Sequence, residues 1–209
     1  MSNEGAELIS LAERGDAEAQ YQLGLLYEQG IGVDQSYSAA VLWYRKAAAA
    51  KHPMACVVYG KCLHFGLGVE KNGAEAEQYY MHAIEGHVFE AYVLLGLLYF
   101  SGEGVSQNSR KAAEYYRKGA DFGVADAQHY LGWCYSVGEG VPKDLSIAAE
   151  YWRMAAEQGV AEAMEGLGRL YLLGHGVELD LGLAYIWLSM AVHHGANSVS
   201  DELKLLISI

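Results

Sequence analysis

Residues 24–36 read GLLYEQGIGVDQS, and the stretch returns as GKCLHFGLGVEKN at 60–72 and GLLYFSGEGVSQN at 96–108. It returns again as GWCYSVGEGVPKD at 132–144 and GRLYLLGHGVELD at 168–180. The step is 36 residues each time, so the chain is read first as a repeat array. Gly24, Gly30, Gly32, Val33, Ala19 and Ala40 each begin a column that holds without exception over five units.

Inside a unit, Ala19, Leu23, Leu26 and Tyr27 share one face at helical spacing. That run ends at Gly30, a C′ glycine free to enter the left-handed region, and Gly32 supplies a second unusual backbone angle. Ser36, Asn72, Asn108, Asp144 and Asp180 then stand where a second helix begins, and all five are N-cap residue types. The second helix carries Ala40, Trp43, Tyr44 and Ala47. It closes near Gly123, Gly159 and Gly195, and less regularly in the first two units. A phosphate-binding loop needs glycines that leave a strand and open a helix. These glycines end one helix and precede the cap of the next, so they are a turn.

The columns A-x-x-x-L-G-x-x-Y, G-x-G-V and A-x-x-W/Y-Y/W-x-x-A resemble the Sel-one-like repeat (SLR) family, 36-residue relatives of the tetratricopeptide repeats. The resemblance divides the chain into a capping helix at 1–16 and five helical hairpins at 17–52, 53–88, 89–124, 125–160 and 161–196. A half-repeat helix at 197–209 follows. Tyr59 and Leu63 depart from the consensus of the second unit without breaking its pattern. The fold class expected is all-α: an α-solenoid of antiparallel helix pairs whose stacked units wind into a right-handed superhelix. Small residues in the Gly24 and Ala40 columns let helices approach closely, and Trp43, Tyr79, Tyr115, Tyr151 and Trp187 fill the space between units.

Composition narrows the function. With 209 residues, 52% of them hydrophobic, the chain can bury a substantial core. Its 14 Lys and Arg against 26 Asp and Glu leave a formal charge of −12. That sign opposes nucleic acid and anionic membrane surfaces. No apolar run reaches the length of a membrane span, and the N-terminus lacks the basic start and apolar core of a secretory signal. Cys56, Cys62 and Cys134 are too few and too irregular for a disulfide framework. The reading is a soluble cytoplasmic protein, or a periplasmic or secreted one if a signal peptide was removed. The disulfides of the family's cysteine-rich secreted members are not carried over. Cys62 and Cys134 fall in the Leu26 column and read as buried, whereas Cys56 reads as partly exposed.

Consensus residues build the fold, so function is sought where the columns disagree. In the family the first helix of each hairpin lines the concave surface. Opposite the Leu23 face of that helix lie the columns of residues 18, 21, 25 and 28. They present Tyr21 and Leu25, then Lys61 and His64, then Leu97 and Phe100, then His129 and Trp133, then Arg169 and Leu172. Acidic residues occupy the first of these columns in four units of five. An apolar floor with charges around it is the make-up of a protein-binding groove, and packing against neighbouring repeats is the competing account. His64 and His129 are polar contacts of the groove or simple variation.

No histidine spacing suits a metal, no nucleophile stands beside a base, and no cofactor is implied. The function expected is therefore non-catalytic: an adaptor or scaffold that holds a peptide or helix of a partner protein in the groove, with neither nucleic-acid binding nor membrane insertion. The resemblance implies a role in assembling multiprotein complexes, including signalling and host-interaction systems in bacteria. Two alternatives stand beside it. One is self-association through the C-terminal edge, where Val199, Leu203 and Leu206 restart a first helix. The other is a discrete pocket for a glycan or small molecule.

Overall fold

A computed structural model describes residues 3–196 and Leu206. Among the described residues the chain forms eleven α-helices and no strand. Contacts divide it into two compact units, Met1–Gln107 and Asn108–Ile209. The first holds α1 (Asn3–Glu13), α2 (Ala17–Gln29), α3 (Tyr37–Ala49), α4 (Pro53–Phe65), α5 (Gly73–Glu85) and α6 (Ala91–Ser101). The second holds α7 (Ser109–Asp121), α8 (Ala125–Val137), α9 (Leu145–Glu157), α10 (Ala161–Leu173) and α11 (Leu181–His193). Within each unit every helix packs on the next one in sequence, as in an α-solenoid. The half-repeat expected at 197–209 lies outside the described residues, save for Leu206, which is helical and half-buried.

The turn is built as its sequence requires. Gly30 takes φ of 71° and its N–H donates to the Leu26 carbonyl at 2.8 Å. Gly32 follows with φ of 72°. The turn is then clasped from its far side, where the Ser36 N–H donates to the Tyr27 carbonyl at 2.8 Å. The same bond recurs from Asn72 to Leu63, Asp144 to Tyr135 and Asp180 to Tyr171. All five expected caps accept a backbone N–H three residues on, at Ala39, Glu75, Lys111, Ile147 and Leu183. Each such cap contributes about 1 kcal/mol.

Two glycine columns set the distance between helices. A Cβ on Gly60 would stand 2.6 Å from the Tyr80 ring, one on Gly132 2.6 Å from Trp152, and one on Gly168 2.7 Å from Leu188. Gly24 meets Tyr44 in the same way. Each of these four hairpins thus buries a large side chain of its second helix against bare backbone of its first. Burial of such a side chain stabilises by about 1.5–3 kcal/mol. The second glycine of the turn has a further use between repeats. A Cβ on Gly104 would lie 2.5 Å from the Gly73 nitrogen at the start of α5, and one on Gly140 2.5 Å from the Ser109 carbonyl carbon at the start of α7. The turn of one repeat therefore sits directly on the first residue of the preceding repeat's second helix.

The irregular closures of the first two hairpins also have a structural account. Lys51 and His87 adopt φ of 60° and 64°, the left-handed conformation that Gly123, Gly159 and Gly195 adopt at equivalent positions. The backbone path is kept although the glycine is not. The aromatic column is shared between two kinds of packing. Trp43 packs on the cluster of Ala12, Ala19 and Leu23, which spans α1 and α2, as a filler between units would. Tyr79 and Tyr151 instead pair with Tyr59 and Tyr135 of their own hairpins, with centroids 4.9 and 6.0 Å apart.

Candidate functional site

In the first unit the expected face begins on α2, started by Asp16, whose side chain accepts the Ala19 N–H at 2.8 Å. Tyr21 is half-buried and stacks on His52, with centroids 4.9 Å apart and planes at 23°. His52 caps α4: its Nδ1 accepts the Ala55 N–H at 3.1 Å. That places the imidazole proton on Nε2, which donates to Glu18 at 2.8 Å. Gln22 also donates to Glu18, and these two bonds hold its carboxyl below the usual range. Equivalent positions to His52 carry Asp16, Val88, Val124, Val160 and Ala196, so two polar cap residues at the head of an otherwise apolar column were the available signal for this joint.

Leu25, Leu97 and Phe100 are half-buried, and Lys61 is exposed. His64 is not a groove contact. It is 2% exposed, with Nδ1 3.3 Å from the Tyr80 hydroxyl and its ring stacked on Phe65 at 4.2 Å. Burial is the main force pushing its pKa down. Glu28 occupies the same column in the first hairpin and accepts the Tyr44 hydroxyl. This column faces the hairpin's own second helix. Val57 and Val93, which stand in the Tyr21 column of that face, are buried as well. Cys56, expected to be partly exposed, is fully buried, with Sγ 3.6 Å from the Ala48 carbonyl. Gln20, one repeat earlier, donates to the Ala12 carbonyl at 3.0 Å, so that column faces the preceding helix and is interior. All three cysteines are buried and unpaired, and burial raises their thiol pKa values to about 11 for Cys56 and Cys62 and about 12 for Cys134. Thiols held so high present no nucleophilic thiolate near neutral pH.

In the second unit Trp133 is half-buried and packs on the cluster formed by Trp152, Met164, Leu167 and neighbouring alanines, so part of its surface belongs to the core. His129 is half-buried too, and its Nδ1 is buried without a hydrogen-bond partner. Burial lowers its pKa against the opposing pull of Glu162 and Asp126. Arg169 pairs with Glu165 at 2.7 Å, which neutralises the cation expected at the edge of the groove. Leu172 is half-buried. Beside these residues lies a cleft of about 630 Å³ lined by Asp126, Gln158, Glu162, Glu165 and His194. Asp126 and Glu162 are members of the acidic first column, and Ala125, Val160, Ala161 and Ala196 complete the lining. Gln158 and His194 come from the loops after α9 and α11, and nothing in their columns marked them.

Among the described residues no group of His, Cys, Asp or Glu could hold a metal ion, and no helix is long and apolar enough to cross a membrane.

Comparison with known proteins agrees with this architecture. No curated protein matches the sequence. Among solved structures, the chain is similar to a protective antigen of uropathogenic Escherichia coli strains that displays an SLR fold, with a TM-score of 0.89 and 32% identity. That match covers 96% of this chain and 43% of the antigen, so the chain spans well under half of that protein's length. A Sel1 repeat protein from Oxalobacter formigenes matches with a TM-score of 0.83 and 29% identity, over 99% of this chain and 89% of that one. An immunity protein from Pseudomonas aeruginosa shares the fold at 21% identity and a TM-score of 0.60, over 91% and 72% of the two chains. The Sel1 repeat itself matches five times, at residues 17–52, 53–81, 89–123, 125–160 and 161–195. Repeats of this kind generally mediate protein–protein interactions. With its helix pairs, its turns and five matched repeats in one register, the chain belongs to the Sel1 repeat family.

Proposed function

We propose that the chain is a non-catalytic adaptor whose first-helix faces hold a peptide or helix of a partner protein. One observation carries the reading: Tyr21, Leu25 and Leu97 stay half-exposed on a face whose margins are the exposed Glu18, Met54, Lys61 and Glu90. A face only serving solvent would be polar, and one only serving the core would be covered. Half-exposed apolar side chains within a charged margin suit the anchor residues of a partner. The acidic cleft of the second unit fits the same reading, with Asp126 and Glu162 placed to receive a lysine or arginine of that partner. Thiols that burial keeps protonated favour a binding role over thiol-based catalysis. Buried unpaired cysteines also suit a reducing, cytoplasmic setting.

The test is affinity capture from lysate with wild type, Met54→Glu/Lys61→Glu, Glu162→Lys and the outer-face control Leu42→Glu. All four substituted positions are exposed, so each variant should keep wild-type helicity. A partner held by wild type and the control but lost by either face variant supports the adaptor reading. A partner held equally by all four would place the binding surface elsewhere.

A further inference from the structure

Helices α6 and α11 are alike in composition, since neither carries an Asp, Glu, Lys or Arg. A helix apolar all round belongs inside a protein. α6 obeys this and buries seven of its eleven residues. α11 buries only Ala184, Leu188 and Ala191. On its outer side Leu183, Ile186 and Met190 are 36, 50 and 38% exposed, at i, i+3 and i+7 spacing along one stripe. Tyr185 and Val192 are exposed too, but on another side of the helix, in the columns where Val41, Ala113 and Ala149 and where Ala48, Ala120 and Ala156 are buried.

The stripe occupies the outward columns of the repeat. In α7 the same positions carry Lys111, Glu114 and Lys118, and in α5 they carry Glu75, Gln78 and His82. Those helices have a following first helix packed on them, α8 on α7 and α6 on α5, and yet Glu114, Lys118 and Gln78 stay exposed. Packing along the array therefore leaves the Ile186 column open to solvent, while Lys111 and Glu75 of the Leu183 column and His82 of the Met190 column are half-buried.

We infer that the Leu183–Ile186–Met190 stripe of α11 is a self-association surface that takes the same stripe of a second copy of this chain. The occupant follows from charge. At −12, the chain steers basic partners toward its carboxylates, and α11 offers such a partner none. Two copies repel each other over most of their surfaces, and a charge-free helix is where they can meet without opposing like charges. A two-fold axis across α11 sets the helices antiparallel, with Leu183 beside Met190 of the other copy and Ile186 near the axis. One helix pair buries less than a standard stable interface, so the dimer should dissociate on dilution. Because added salt screens the repulsion between two anions, the dimer should tighten as ionic strength rises. A contact made by ion pairs would loosen.

Sedimentation equilibrium of the full chain over a concentration series, at low and high salt, tests this. The expected result is a mass rising from 22.8 kDa toward twice that value with concentration, and further at high salt. Ile186→Glu/Met190→Glu should hold at the monomer mass with unchanged circular dichroism, and Leu42→Glu, in the Ile186 column of α3, should behave as wild type. A wild-type chain that stays at 22.8 kDa throughout would overturn the proposal and leave the stripe to residues 197–209 or to another protein. A dimer that survives Ile186→Glu/Met190→Glu would overturn it equally.

Discussion

The seating of each turn on the preceding repeat can be measured at one glycine. Gly140 has φ of 72°, and an added Cβ would stand 2.5 Å from the Ser109 carbonyl carbon and 2.9 Å from the Arg110 nitrogen. Both neighbours are backbone, so the turn itself would have to retreat from α7. Gly32 holds the same column with the same φ of 72°, but nothing stands within 4 Å of its Cβ position, because only a single helix precedes the first hairpin. The left-handed conformation costs an alanine about 1–2 kcal/mol. A stiffer unfolded chain returns about 0.4–1 kcal/mol of that. Gly32→Ala should therefore cost about 0–1.6 kcal/mol. Gly140→Ala adds overpacking of about 1–3 kcal/mol, for a total of about 1–4.6 kcal/mol. Gly138→Ala supplies a control in the same turn, since its φ is 86° and its nearest neighbour, Lys143 Cβ at 3.2 Å, stands farther off than the backbone atoms that Gly140 meets. Urea unfolding followed by circular dichroism would compare the three, with the slopes checked for equality before midpoints are converted. If Gly140→Ala cost no more than Gly138→Ala and Gly32→Ala, the contact between repeats would not be the reason for the second glycine.

Two further substitutions follow from the backbone and from burial. Lys51→Gly and His87→Gly should each raise stability by about 0.5–1 kcal/mol by relieving a left-handed side-chain residue, read as a higher thermal midpoint. His129→Leu should stabilise at neutral pH by about 1 kcal/mol, because the buried Nδ1 that it removes has no partner. The same variant should lose less stability than wild type on acidification. A histidine whose pKa is lowered by burial binds fewer protons folded than unfolded, so its stability is intact above about 6.5 and falls as pH drops below that value toward the folded-state pKa. Unfolding curves at pH 7 and at successively lower pH would show both effects, and the difference between variant and wild type excludes the shared response of the carboxylates.

The repeat, the helix pairs, the turn glycines and the caps were all legible in the chain, because each rests on contacts a few residues apart that recur five times. The site was only partly legible. Period 3.6 places residues 21, 25 and 28 on one side of a helix, but it does not say which neighbouring helix that side meets. His64 lies in the column that leans on its own hairpin's second helix, so a residue expected in the groove is interior. Cys56 lies in the column that leans on the preceding helix, so a thiol expected at the surface is fully covered. Arg169 was legible as a cation but not as one half of an ion pair with Glu165. By itself, then, the sequence determined a five-fold array of capped helix pairs. The tertiary structure alone decided which columns are interior, that Gln158 and His194 join the acidic column in one cleft, and that the charge-free α11 keeps an open stripe. Local hydrogen bonds and backbone angles specify the first set; helix crossing and distant packing specify the second.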